Sequence, residues 1–302
     1  MVIKNRPVKS GSIISKNTIA VLDDDGKKNT YKTKSIVIAT GSSPSVLPGI
    51  KIDEKIIVSS TGALSFEKVP KELVIIGGGY IGLEMGSVWS RLGSEIQVIE
   101  SLDHITPGMD SEISKEFLKI LQKQGIKFHL ENKVESVKRG SKEMIVKATN
   151  KENKKIDNEC EVVLVAVGRK PNTEKLNLGK IGIELDNKKR IKVDKKYQTN
   201  IKNIFAIGDV IEGPMLAHKA SAQGEIVAEI IAGQRTAFDP VSIAAVCFTD
   251  PEIVGVGLTP DEAKKEGIDT VIGKFPFAAS GRALAMDAGS DGGFVRISII
   301  IC

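Results

Sequence analysis

The feature that most constrains this sequence is a run of glycines between an apolar strand and an amphipathic helix. Residues 73–77 read Leu-Val-Ile-Ile-Gly, the pattern of a buried strand, and residues 80–92 carry apolar side chains at helical spacing. Gly77, Gly79 and Gly82 fit the pattern G-x-G-x-x-G at the junction, and another apolar strand follows at 95–100. This order predicts a β-α-β unit that binds a dinucleotide.

Each glycine of this run has its own physical task. Gly77 permits a tight turn, Gly79 lets the backbone approach a pyrophosphate, and Gly82 allows the helix to pack closely on the strand. The next strand ends at Glu100. Its separation from the glycine turn is near the spacing of about 20 residues at which a carboxylate binds an adenosine ribose. Residues 101–103 contain no cation for a 2′-phosphate, so the sequence favours NAD over NADP. The alternative is a glycine-rich turn that binds nothing.

Two ten-residue segments of the chain echo each other. Residues 35–44 read SIVIATGSSP and residues 162–171 read VVLVAVGRKP, and each follows alternating apolar residues interrupted by polar turns. Two related domains explain the echo, although a chance match is the alternative. The β-α-β unit precedes the second copy and continues into a predicted helix at 110–124 and a strand at 126–130, and nothing equivalent precedes the first copy.

From about residue 240, short strands surround one short helix, which indicates an α+β piece.

The composition restricts the class of protein. The chain is 41% hydrophobic and 4% aromatic, with a net charge of +5 spread among acids. This predicts a globular protein that binds no nucleic acid. No apolar run has the length of a signal peptide core or a membrane span, so neither secretion nor membrane insertion is predicted. Cys160, Cys247 and Cys302 are far apart, so we predict no local redox disulfide, no metal site and a reducing compartment.

The segment GGGYIGLEMGSVWSRLGSEIQVIESLDHITPGMD resembles the NAD-binding part of the dihydrolipoamide dehydrogenases, class I of the pyridine nucleotide-disulfide oxidoreductases. Further segments follow in the family's order: ATGSSP, VAVGRKPNT, FAIGDVIEGPMLAHKASAQGE, FTDPEIVGVG, GKFPF and DGGFVRI. The likeness extends from about Gly11 to about Ile297. It implies an α/β flavoprotein fold with two dinucleotide-binding domains, of which the FAD domain is incomplete and the NAD domain complete, and a partial α+β dimerisation domain.

The resemblance also implies a division into domains. The expected ranges are the C-terminal part of the FAD domain at 1–66, a Rossmann-like NAD-binding domain at 67–187, a return segment of the FAD domain at 188–239, and part of the dimerisation (interface) domain at 240–302. The chain is therefore expected to be truncated at both ends.

By resemblance, two sets of residues contact cofactors. The expected NAD-binding residues are Gly77, Gly78, Gly79, Tyr80, Ile81, Gly82, Leu83, Glu84, Glu100, Val134 and Gly168. The expected FAD-binding residues are Thr40, Gly41, Ser42, Asp209, Met215, Leu216, Ala217 and His218. Asp209 can accept from a ribityl hydroxyl, and the backbone of residues 215–218 can donate to the flavin ring.

Several of these residues could instead have a purely structural role. Asp209 by itself could cap a helix or turn, and Glu84 by itself could be an exposed helix residue. His218 is expected to act through its backbone rather than its imidazole. Arg169 is expected to fix the glycine turn beside it.

The implied activity is that of a dihydrolipoyl dehydrogenase, an oxidoreductase that oxidises protein-bound dihydrolipoamide and reduces NAD through FAD. The implied partners are a second copy, in a homodimer, and a lipoyl-bearing 2-oxoacid dehydrogenase complex, in the bacterial cytoplasm or an organelle matrix. The family's redox cysteine pair and its His–Glu pair match no residues here, so no catalytic residue is assigned. Two alternatives remain: an inactive remnant or non-catalytic NAD-binding module, and a dithiol-independent flavin NADH reductase.

Overall fold

A computed structural model describes residues 8–23, 25–141, 143–237, 240–288 and 293–300. The strands in chain order are β1 (Val8–Ser15), β2 (Thr18–Asp23), β3 (Lys28–Lys32), β4 (Ile36–Ile38), β5 (Ser42–Pro44), β6 (Ile57–Val58), β7 (Glu72–Ile76), β8 (Glu95–Ile99), β9 (Lys127–His129), β10 (Asn132–Arg139), β11 (Met144–Asn150), β12 (Lys155–Cys160), β13 (Val162–Val165), β14 (Arg169–Pro171), β15 (Ile204–Ala206), β16 (Ala245–Cys247), β17 (Ile253–Gly255), β18 (Thr270–Pro276) and β19 (Phe294–Ile300). The α-helices are α1 (Ser60–Ala63), α2 (Tyr80–Arg91), α3 (Ser111–Lys123), α4 (Leu178–Ile181), α5 (Ala217–Ile231), α6 (Pro260–Lys265) and α7 (Gly281–Ala285).

The chain forms two compact units, each assembled from two stretches of sequence. Unit 1 comprises Met1–Ser43 and Arg169–Val241, and unit 2 comprises Pro44–Gly168 and Ser242–Cys302. Residues 44–66, expected with the FAD domain, group with unit 2 because β6 pairs with β13 in its sheet. Residues 169–187, expected with the NAD domain, group with unit 1, where Leu178 and Ile183 are buried in the core. The assignment of cofactors to the ranges stays a prediction.

Unit 2 is built on a five-stranded parallel sheet with the order β6-β13-β7-β8-β9. Its central strands are near-continuous apolar runs, which is typical of parallel strands covered on both faces. Phe117 and Leu121 of α3 pack in one core cluster of the parallel sheet. Met144 and Val146 of the antiparallel sheet β10-β11-β12 pack in a separate cluster, which contains different residues of the parallel strands. The predicted β-α-β order is confirmed, and α2 lies within one residue of its predicted end.

Unit 1 contains the antiparallel sheet β1-β2-β3 and a parallel pair formed by β4 and β15. Ile36 and Ile38 of β4 are buried with Ile204 and Ala206 of β15 in its core. The order of an antiparallel three-stranded sheet followed by a buried strand occurs in both units, as the sequence echo predicted.

Residues 240–302 contribute two short antiparallel hairpins to unit 2, β16–β17 and β18–β19. Cys247 of β16 and Ile253 of β17 are buried in the core that contains α2 and α3. The short helix α6 begins with a capping box in which Thr259 and Glu262 each accept the other's backbone N–H. Within the described ranges, no helix is both long and apolar enough to cross a membrane.

Candidate functional site

The three glycines of the β7–α2 turn differ in what surrounds them. Gly77 has φ +109°, and a Cβ there would lie 2.5 Å from the carbonyl oxygen of Ala166. A Cβ on Gly82 would lie 2.4 Å from the carbonyl oxygen of Gly77. A Cβ on Gly79 would meet no protein atom within 4 Å. Backbone geometry and packing therefore require the first and third glycines, whereas the second faces open space where a ligand can approach.

The start of α2 presents uncapped N–H groups beside that space. Gly79 is the N-cap residue and supplies no side-chain hydrogen bond to the first turn, which begins at Tyr80. The first-turn N–H groups of a helix carry a partial positive charge and lack partners within the helix. A phosphate fits this arrangement, since it needs donors and positive potential without a bulky side chain in the way.

Glu100 lies beside the glycine turn, as predicted, and its carboxylate also stabilises the local structure. The residue is 8% exposed. Oε2 accepts from the N–H of Gly78 at 2.7 Å, and Oε1 accepts from the N–H of Leu102 at 2.8 Å and from Ser101 Oγ at 3.0 Å. Oε2 retains lone-pair capacity for a further donor such as a ribose hydroxyl.

A cleft of about 410 Å³ opens next to the loop that follows Glu100. It is lined by Ser101, Leu102, Asp103, Glu131, Lys133, Thr149, Asn150 and Lys151. Val134 neighbours this set in β10, and its partly buried side chain packs on the core beneath β10-β11-β12. Gly168, at the far end of β13, has φ +109°, and its carbonyl accepts from the N–H of Ser45 at 2.9 Å.

The remaining predicted NAD-binding residues lie along the first turns of α2. Leu83 is fully buried, and Tyr80 and Ile81 are half-buried. Burial, followed by nearby Cys247, raises the pKa of the Tyr80 hydroxyl. The alternative of Glu84 as an exposed residue is wrong, since Glu84 is half-buried and Oε1 accepts from the N–H of Phe248 at 2.8 Å.

In unit 1 the structure brings together Gly41, Ser42 and Asp209 from the predicted FAD set. Ser42 Oγ donates to Asp209 Oδ2 at 2.5 Å. Arg169 donates through Nε to Ser42 Oγ and through Nη2 to the Ser42 carbonyl, each at 2.7 Å. Arg169 therefore stabilises the turn at Gly41 and Ser42, whereas the prediction placed it at the glycine turn beside it, at Gly168. Asp209 bonds across the fold to Ser42, which goes beyond a local cap.

A cavity of about 230 Å³ adjoins these residues. It is lined by Ala39, Gly41, Ile207, Gly208, Asp209 and Ala220. Thr40 lies next to it in sequence, with Oγ1 donating to the carbonyl of Asn172 at 2.8 Å. A flavin nucleotide segment fits polar groups arranged in this way, with a carboxylate for hydroxyls and a glycine turn for close approach.

The predicted segment 215–218 forms the start of α5. Met215 and Leu216 are half-buried before the helix, while Ala217 and His218 are exposed in its first turn. Leu216, the N-cap residue, supplies no side-chain hydrogen bond to the helix, and its own N–H donates to the carbonyl of Pro214 at 3.1 Å. Donation from this backbone to a flavin stays a prediction.

The sequence analysis missed Lys219, the next residue of α5. It is 3% exposed, and Nζ donates to the carbonyls of Gly208 at 3.3 Å and Glu212 at 3.4 Å. Burial lowers the pKa of its ammonium group. A four-residue spacing links Lys219 to the other buried residues of α5, Gln223 and Val227, and this pattern was the available signal.

The two described cysteines, Cys160 and Cys247, are both buried. Burial raises the pKa of Cys160 to about 12 and that of Cys247 to about 12. A thiol acts as a nucleophile only as a thiolate, so neither serves as one. Cys302 lies outside the described residues. The described part of the chain contains no group of three or more His, Cys, Asp or Glu side chains that could hold a metal ion.

Comparison with protein families gives two matches along the chain. Residues 4–224 match the family described as pyridine nucleotide-disulphide oxidoreductase. Residues 243–299 match the dimerisation domain of the same family. The two matches follow one another in the order that the sequence motifs predicted.

Individual proteins resemble the chain over most of its length. It is 49% identical over 280 residues to dihydrolipoyl dehydrogenase 1, mitochondrial, of Arabidopsis thaliana, covering 92% of the chain and 55% of that protein. It is 48% identical over 286 residues to the mitochondrial dihydrolipoyl dehydrogenase of Rattus norvegicus, covering 93% and 56%. The chain thus spans about half the length of these curated relatives.

Solved structures with the same fold come from two bacteria. LpdA from Mycobacterium tuberculosis is similar with a TM-score of 0.84 and 25% identity, covering 99% of the chain and 64% of that protein. The HOCl-induced flavoprotein disulfide reductase RclA from Escherichia coli gives a TM-score of 0.84 and 27% identity, covering 96% and 65%.

Proposed function

The chain belongs to the pyridine nucleotide-disulphide oxidoreductase family, and from this premise we propose that it is the nucleotide-binding part of a dihydrolipoyl dehydrogenase. The observation that carries the proposal is the open space at Gly79 beside the uncapped start of α2. Glu100, held next to Gly78, supplies the adjacent acceptor for an adenosine ribose. NAD and FAD are the cofactors of the proposed activity.

The proposed reaction converts protein-bound dihydrolipoamide and NAD⁺ to lipoamide, NADH and a proton. FAD, when bound, relays the two electrons between the dithiol and NAD. In this chain the backbone around Gly79 and the first turn of α2 bind the pyrophosphate of NAD, and Glu100 orients its ribose. Gly41, Ser42 and Asp209 hold the flavin nucleotide, and the backbone of residues 215–218 donates to its ring.

A second candidate is a non-catalytic NAD-binding module. Cys160 and Cys247, whose buried thiols have pKa values of about 12, fit this candidate as well as the first. This chain would then bind NADH without turning over a dithiol by itself.

We further propose a homodimer that serves a lipoyl-bearing 2-oxoacid dehydrogenase complex, in an organelle matrix or bacterial cytoplasm. The dimerisation-domain match over residues 243–299 supports self-association. The names of the plant and rat relatives place those proteins in mitochondria, which supports the matrix.

Binding of NADH to the purified chain tests the nucleotide site. We expect Gly79→Val to weaken NADH binding at least about tenfold, because the side chain fills the space needed by the pyrophosphate. The melting temperature should stay unchanged, since this position has φ −82° and no neighbour within 4 Å. Gly179→Val, at another glycine without neighbours, is the matched control.

Two further measurements separate the two candidate functions. Flavin absorbance in the purified protein together with dihydrolipoamide-dependent NADH formation supports the dehydrogenase. NADH binding without flavin or turnover supports the module. A wild-type chain that binds no NADH contradicts both.

A further inference from the structure

The cleft beyond Glu100 contains charged side chains that have no assigned role. Lys133 enters it from β10, and Lys151 enters it from the turn between β11 and β12. The sequence analysis favoured NAD because residues 101–103 contain no cation. The fold nevertheless brings two lysines to the cleft that those same residues line. A lack of cations therefore does not explain a preference against a 2′-phosphate.

Glu131 lies between Lys151 and the loop that follows Glu100. Its carboxylate Oε2 is 2.6 Å from Lys151 Nζ. Its backbone N–H donates to the carbonyl of Leu102 at 2.8 Å, and the N–H of Asn132 donates to the carbonyl of Glu100 at 2.9 Å. These backbone bonds fix Glu131 against the loop that carries the predicted ribose acceptor.

The charges around Lys151 are mainly acidic. Its hydrogen bond and charge interaction with Glu131 raise the pKa of Lys151, with smaller contributions from Glu152 and Asp103. The cleft is lined by the acids Asp103 and Glu131 and by two lysines, and Glu100 lies just before its loop. Asp103 itself lies 2.6 Å from the ring of His104. A phosphate monoester brings about 1.5 to 2 further negative charges, which the carboxylates of Glu100 and Glu131 repel.

We propose that Glu131 is a specificity-determining residue that neutralises Lys151 and so excludes the 2′-phosphate of NADP from the nucleotide site. The inference rests on the proposed NAD binding and extends it. Removing the Glu131 charge takes one negative charge out of the cleft and frees the Lys151 ammonium to pair with a phosphate. Lys151 becomes the residue through which NADP is then held.

The test compares NADH and NADPH binding to the full chain by nucleotide fluorescence. We expect Glu131→Gln to improve the NADPH-to-NADH affinity ratio by about fivefold or more at low salt, with the gain shrinking as salt is added. Adding Lys151→Met to that variant should return the ratio to its original value. Glu116→Gln is the control, because Glu116 forms an ion pair of similar exposure with Lys119, and neither residue lines the cleft.

A second variant keeps the test valid if Glu131→Gln does not fold. Glu131 has φ +56°, a conformation that asparagine tolerates better than most residues. Glu131→Asn should therefore fold and shift the ratio in the same direction. An unchanged ratio in both folded variants overturns the inference, and so does a gain that survives Lys151→Met. Loss of all NADH binding in the wild type would contradict the proposed function instead.

Discussion

Glu100 shows how one side chain can serve the fold and the ligand together. Its two oxygens hold the N–H groups of Gly78 and Leu102, so the glycine turn and the following loop are ordered around a single carboxylate. The turn is thereby organised before any nucleotide arrives, which lowers the entropic cost of binding.

Replacing this carboxylate should affect stability as well as binding. We expect Glu100→Ala to lower the free energy of unfolding by about 1–3 kcal/mol, because it leaves buried backbone donors without their charged acceptor. Urea denaturation measures the loss, and NADH titration measures the accompanying weakening of binding. Glu100→Gln, which retains an acceptor oxygen, should lose less stability. Unchanged unfolding of the alanine variant would mean that these bonds contribute nothing.

The buried thiols give a second prediction at this scale. With a pKa of about 12, only about one Cys160 or Cys247 thiol in ten thousand is a thiolate at pH 8. In a Cys302→Ser background, we expect Ellman's reagent to react slowly with the folded protein and to titrate both remaining thiols in guanidinium. The reaction should remain slow between pH 7 and pH 9, since that whole range lies below the pKa. One rapidly reacting thiol in the native state would contradict this.

Residue roles could be predicted from sequence where the backbone itself imposes them. Gly77 and Gly82 are required by a positive φ and by close packing, which the motif encodes. The hydrogen-bond partners of Lys219 and Glu84 could not be predicted in this way. The partners of Lys219 are carbonyl oxygens of a distant turn, and the partner of Glu84 is the N–H of Phe248. Such contacts arise only from the tertiary fold.

Among the elements, helix α3 and the hairpin β18–β19 are joined by charged side chains. Asp110 is the N-cap of α3 and accepts from the N–H groups of Glu112 and Ile113. The same carboxylate accepts from Arg296 Nη1 of β19, with both oxygens at 2.7 Å. Lys274 of β18 pairs with Glu112. One face of the hairpin is therefore anchored to the start of the helix.

Substitutions at Asp110 should separate capping from anchoring. Asp110→Asn keeps a capping oxygen but leaves Arg296, whose side chain is 14% exposed, with Glu112 at 3.3 Å as its remaining charged partner. We expect it to lower the free energy of unfolding by about 1–3 kcal/mol, and Asp110→Ala to cost about 1 kcal/mol more. Chemical denaturation measures both. Glu116→Gln, at a 38% exposed side chain that pairs only within α3 with Lys119, is the control and should change it by less than about 1 kcal/mol. Equal losses for the two Asp110 variants would exclude a capping contribution.

The elements were predictable where hydrophobic periodicity extends over several turns or strand residues. Helices α2 and α3 and strands β7 and β8 follow this rule. Strand β6 was missed because Ile57–Val58 is too short to show a pattern, and its pairing with β13 defines it. The turn at residues 16–17 divides a stretch whose apolar alternation continues through it.

At the scale of the molecule, one face of the β18–β19 hairpin is apolar and exposed. Paired residues share a face, so Val271, Phe275, Val295, Ile297 and Ile299 lie together, opposite the face that carries Lys274 and Arg296. Each of the five is at least 46% exposed. Exposed apolar strips of this kind are typical of association surfaces, and these residues lie within the dimerisation-domain match.

Self-association should depend on this face. We expect Ile297→Lys to weaken association of the chain at least about tenfold, because it places a charge in an apolar contact. Sedimentation velocity over a concentration series measures the change. Ile272→Lys, on the other face of β18, is the matched control. A wild-type chain that remains monomeric at high concentration, or equal effects of both lysines, would exclude the face as an interface.

The chain's interleaved path through the two units also has a consequence for its synthesis on the ribosome. All five strands of the parallel sheet have emerged once Val165 leaves the exit tunnel, whereas β4 waits for β15, because Ile36 pairs with Ile204. Strand β4 therefore finds its neighbour only after the intervening module has begun to fold. Until β15 has emerged, residues 36–38 present a strand edge that is not paired with it. During this interval a chaperone would protect the growing chain.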